Sequence, residues 1–101
     1  MGQCEIEVVV PKDLEDLIPT FFANRQRELA SLASALADSD LVRLGQLGHR
    51  MKGAGAAYGF APITALGERV ERFVGACDLT GLEACVAQYR DLLSNLRVRF
   101  K

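Results

Sequence analysis

His49 is the single histidine of the chain, and Lys52 and Gly53 follow it at three and four residues. An imidazole in water loses its proton near pH ~6.5, so at neutral pH it offers a nucleophilic lone pair. Attack on a phosphoryl group would give a phosphoramidate that can be handed on to a carboxylate. A lysine one helical turn away is placed to meet the phosphoryl oxygens as a compact cation. Other chemistries find less support. His49 would be the sole base for any serine or cysteine nucleophile, so no triad can be assembled around it. The run Gly53-Ala-Gly55-Ala-Ala-Tyr-Gly59 lacks the Gly-Lys-Ser/Thr of a phosphate loop, misses the GxGxxG spacing and follows a helix rather than a strand. Cys4, Cys77 and Cys85 form an odd, scattered set with no CxxC pair. Neither a disulfide framework nor a metal site is expected, and the thiols read as reduced and mostly buried.

The element that must carry His49 is a helix over 41–58. At about 100° per residue, Leu41, Leu44, Gly48, Met51, Gly55 and Tyr58 fall on one narrow seam, and His49 lies about 130° from its centre, facing solvent. Its helical neighbours are Val42, Gly45 and Gln46 on one side and Lys52, Gly53 and Ala56 on the other. Apart from the Lys52 ammonium, that ring is small or neutral where an ordinary solvated face would carry Glu, Lys and Arg. Glycine inside a helix costs about 1 kcal/mol relative to alanine. Gly48 and Gly55 suit close helix packing. Gly45 and Gly53 are expected to leave clearance for another protein to reach the imidazole, so Val42, Gly45, Gln46, Gly53 and Ala56 are the candidate partner-binding residues.

Around this helix the pattern predicts an all-α chain, an antiparallel up-down four-helix bundle over about 20–100. A short extra N-terminal helix and an extended segment over 1–10 precede it. Cys4–Val10 is β-branched and partly alternating. A lone strand must lie on the bundle, pair with a second copy to make a homodimer, or not be a strand at all. Pro11 begins the extra helix, and Pro19 ends it and starts the next, over 20–37, with Phe22, Leu29, Leu32 and Leu36 as its stripe. Asp38-Ser39-Asp40 breaks and caps. Gly59 stands where a left-handed cap is usual, and Pro62 opens a helix bearing Ile63, Leu66, Val70, Phe73 and Cys77. Thr80 and Glu83 form a capping box for a last helix with Leu82, Val86, Tyr89, Leu92, Leu93, Leu96 and Phe100 buried.

The 101 residues, half of them hydrophobic and a quarter charged, suit one domain with one core. A net charge of -1 gives no global pull on nucleic acid or an anionic membrane, so neither is expected as a partner. No apolar run spans a bilayer and no signal peptide is evident, so a cytoplasmic location is expected.

His49-Arg-Met-Lys52-Gly53 followed by Gly59 resembles the HxxKG…G signature of histidine phosphotransfer (HPt) domains. Pro19–Arg25 is similar to that family's second-helix opening, and Gly59–Pro62 to its usual turn. The resemblance implies a four-helix bundle phosphorylated on Nε2 of His49, with Lys52 supporting the phosphoryl group. It implies a place in a two-component phosphorelay, between a sensor histidine kinase and the aspartate of a response-regulator receiver domain. It also implies a phosphocarrier without autokinase activity and without a cofactor of its own, the Mg²⁺ belonging to the receiver. In the related phosphoacceptor domain of chemotaxis-type kinases, a fourth-helix glutamate bonds the other nitrogen of the histidine; the matching position is Glu71. Such a domain of a larger kinase is one alternative reading, and a non-phosphorylated helical adaptor is another.

Overall fold

In the computed structural model, residues 6–101 are described. Their order is β1 (Ile6–Val10), a 3-10 helix (Lys12–Leu17), α1 (Ile18–Ala37), α2 (Leu41–Tyr58), α3 (Ala61–Gly75), α4 (Leu79–Asn95) and β2 (Leu96–Phe100). Each long helix packs against its neighbour in sequence, and α4 closes on α1, giving a four-helix bundle. Its core holds Phe21, Leu32, Leu44, Met51, Phe60, Ile63, Val70, Leu82 and Tyr89 among others. The rings of Phe21 and Phe60 stack with centroids 4.7 Å apart, joining α1 to the α2–α3 turn. None of the described helices is long and apolar enough to cross a membrane.

The turns follow local chemistry. The Asp40 side chain accepts a hydrogen bond from the Arg43 backbone N–H at 3.1 Å and so starts α2. Gly59 ends it at φ 80°, a backbone state open to glycine without steric cost. Pro62 sits in the first turn of α3, as expected.

Several expectations need correction. The short extra N-terminal helix is a single 3-10 stretch that runs directly into α1, with Pro19 inside the first turn rather than at a break. Proline lacks only an N–H that the first turn does not use, so the chain need not stop there. The centre of the α1 buried face is Ile18, Phe21, Glu28, Leu32 and Ala35, leaving Phe22, Leu29 and Leu36 half-buried at its edges. The α4 cap is Asp78, whose carboxylate accepts from the Gly81 N–H at 2.9 Å, so the Thr80–Glu83 box is not the start. Cys77 is exposed beyond the end of α3, whereas Cys85 is buried.

The largest difference lies at the C-terminus, where α4 stops at Asn95 and the chain turns extended. Leu96–Phe100 pairs in parallel with Ile6–Val10, with Val8 opposite Val98. Backbone bonds of 3.2 Å, from Lys12 N–H to Lys101 C=O and from Lys101 N–H to Val10 C=O, continue the ladder. The extended segment therefore has a partner in its own chain, and Val8, Val10 and Leu96 turn into the core. Cys4 and Glu5, the start of the expected segment, lie outside the described residues.

Candidate functional site

On α2 the core face is Leu44, Leu47, Gly48, Met51 and Gly55, so residue 49 must point outward, and its imidazole is 77% exposed. Glu71 reaches it from α3. One carboxylate oxygen lies 3.5 Å from His49 Nδ1, and the other lies 3.6 Å from Lys52 Nζ. The carboxylate thus stands between the imidazole and the ammonium, one-third exposed.

Close packing of α3 on α2 places it there. A Cβ on Gly67 would lie 2.6 Å from both the Gly48 carbonyl oxygen and the Lys52 nitrogen, so only glycine fits at this crossing. A Cβ on Gly48 would likewise lie 2.8 Å from Val70 Cγ1. Thr64 adds a hydrogen bond from its hydroxyl to the Lys52 carbonyl, 3.2 Å across the same seam. Glu71 follows Gly67 by four residues, about one turn, and so rises beside His49 on the solvent edge of the contact.

The other anticipated residues divide. Val42, Gly45 and Gln46 line a shallow depression with His49 and Arg50, and Val42 is 74% exposed. Gly53 is exposed, and a Cβ there would meet nothing within 4 Å. Gly45 is not wholly off the packing surface, because its Cβ would touch Val74 Cγ1 at 3.5 Å. Ala56 is exposed too, but it borders a different depression at the α2–α3 turn, with Gly55, Gly59, Ala61 and Thr64.

Sequence reasoning missed Arg50, which borders the His49 depression and also a groove between α1 and α2. The available signal was its spacing, seven residues after Arg43, which puts both on one helical stripe. It also missed the buried polar contact between α1 and α4. Tyr89 donates to Glu28 Oε1 at 2.7 Å, and Arg25 Nε lies 3.1 Å from the same oxygen. Burial raises the Glu28 carboxyl above the usual carboxylate range, although the Tyr89 hydrogen bond and the Arg25 charge oppose the shift. Tyr89 is also held above its ordinary value, first by burial and then by the Glu28 charge.

Residues 16–99 match the profile of the Hpt domain family. The chain belongs to that family. Searches of curated proteins and of solved structures return no match. Membership assigns the chain a histidine phosphotransfer role in phosphorelays, in which Hpt domains meet receiver and kinase domains.

Proposed function

We propose that His49 is the phosphoryl acceptor and that the group passes between its Nε2 and the aspartate of a response-regulator receiver domain. The observation that carries this reading is the exposed imidazole whose Nδ1 faces the Glu71 carboxylate, with no hydrogen-bond partner on Nε2 among the described residues. A carboxylate beside Nδ1 favours the tautomer that keeps the proton there and leaves the Nε2 lone pair free.

In the transfer, that lone pair bonds to phosphorus as the bond to the aspartyl oxygen breaks, and the aspartate leaves as a carboxylate. The ring becomes cationic and retains its Nδ1 proton beside Glu71. Lys52 turns from Glu71 to the phosphoryl oxygens, offsetting their charge. The return transfer reverses each step. In this reading the chain acts as a phosphocarrier and not as an autokinase. The Mg²⁺ that assists transfer belongs to the receiver. A cytoplasmic location follows from such partners.

A second reading, the phosphoacceptor domain of a chemotaxis-type kinase, draws support from the approach of Glu71 to His49. The two readings differ in the donor, a receiver or sensor kinase in one case and a linked catalytic domain in the other. Incubation with a phosphorylated receiver should yield an acid-labile phosphate on the chain, absent in His49→Gln. Labelling that persists in His49→Gln would overturn the assignment.

A further inference from the structure

Charge is unevenly distributed over the bundle. Helices α1 and α2 carry Arg25, Arg27, Arg43, Arg50 and Lys52 against one carboxylate of their own, Glu28; Lys52 faces Glu71 of α3, and Asp38 and Asp40 lie in the turn at the far end. Glu28 offsets only part of this charge: it is buried, accepts from Tyr89 and pairs with Arg25, and its pull on Arg50 is weaker than its pull on Arg25. Among the described residues, Arg27 is bonded to the neutral Asn24 side chain and to no carboxylate. No carboxylate lies within ion-pair distance of the Arg50 or Arg43 side chains among the described residues.

Arg50 joins two depressions. On one side it meets His49, Val42 and Gln46; on the other it lines the α1–α2 groove with Asn24, Arg25, Arg27, Ser31 and Leu47, the buried Glu28 carboxylate forming part of the floor. A body seated on His49 therefore continues onto a groove of guanidinium and polar side chains. We infer that this groove is a carboxylate-accepting extension of the docking face, which selects receiver domains carrying an acidic strip to one side of their phosphorylated aspartate. The inference rests on the proposed transfer at His49. Guanidinium forks suit carboxylates bidentately, and exposed Val42 supplies an apolar anchor on the other flank. Charge complementarity of this kind acts chiefly on encounter rate and partner choice.

The test uses the phosphorylated full chain and, of the receiver domains encoded in the same genome, the one that accepts the phosphoryl group fastest. Single-turnover transfer is followed against receiver concentration at low and at physiological salt, where screening lengths are about 30 and 8 Å. Arg27→Glu with Arg50→Glu should raise the half-saturating receiver concentration about tenfold or more at low salt and flatten the salt dependence. The neutral pair Arg27→Gln with Arg50→Gln should give a smaller rise in the same direction. The control, Arg90→Glu with Lys101→Glu, makes the same change in net charge; Arg90 lies on α4, whose main packing is on α1 and α3. An equal rise in the control, or unchanged half-saturation in both arginine pairs, overturns the inference and leaves transfer at His49 standing. If no receiver accepts the phosphoryl group from the unaltered chain, the functional reading itself falls, and the inference with it.

Discussion

Replacing Gly53 by alanine separates stability from function, because its two effects have opposite signs. A helical glycine costs about 1 kcal/mol relative to alanine. The new methyl would meet no atom within 4 Å, so no packing penalty offsets that gain. The variant should therefore be more stable by about 0.5–1 kcal/mol, read as a higher urea midpoint with an unchanged slope. A partner backbone seated against Gly53 would meet that methyl as overpacking, which costs typically 1–3 kcal/mol. Converted at 1.36 kcal/mol per decade, this is a loss of about five- to 150-fold in the second-order rate of transfer from a phosphorylated receiver. Phosphorylation by a small donor such as phosphoramidate has no partner backbone to exclude and should change far less. A stabilised variant with an undiminished receiver rate would refute the clearance argument, and the glycine would then need another explanation.

Gly67→Ala should behave in the opposite way. Its Cβ would clash with α2 backbone at 2.6 Å, so the net change in urea unfolding should be destabilising by about 1–2 kcal/mol despite the gain in helix propensity. Amide chemical shifts around His49, Lys52 and Glu71 should move with it. Glu71→Gln should leave the fold intact and slow phosphorylation of His49 about fivefold, since so exposed a pair contributes about 1 kcal/mol at most; an unchanged rate would remove the residue from the site. Tyr89→Phe should cost about 2 kcal/mol in denaturant unfolding, because it strips a hydrogen bond from a buried carboxylate. The raised Glu28 carboxyl means that the native state holds its proton more tightly than the unfolded chain does. Its contribution is thus fully present below the unfolded value and is lost as pH rises through the folded one. Glu28→Gln should remove that fall, seen as a flatter unfolding free energy against pH above about 4.5.

The α2 site was legible because a single period settled it. Leu44, Gly48, Met51 and Gly55 fix one face, which leaves His49 outside and Lys52 one turn on. Glu71 was legible only through the family resemblance, since its approach to His49 depends on how closely Gly67 lets α3 lie on α2. The C-terminal strand was hidden by ambiguous spacing. Leu92, Leu96 and Phe100 continue a helical stripe, whereas Leu96, Val98 and Phe100 alternate as a strand does. The deciding interaction is a ladder to residues 90 positions earlier, which local pattern does not contain. Glu28 was missed for a related reason: a carboxylate on a core face is tolerable only because Tyr89, on another helix, donates to it.

The β1–β2 pairing also bears on the order in which the chain assembles. Closing a flexible loop of some 90 residues for the sake of one short ladder would cost about 4 kcal/mol in chain entropy, by the logarithmic dependence on loop length. The helices between shorten that search, because packing α4 on α1 carries the two termini of the bundle to the same end. The ladder can then zip last at little additional entropic cost, and its slowest-exchanging amides would report a bundle already complete.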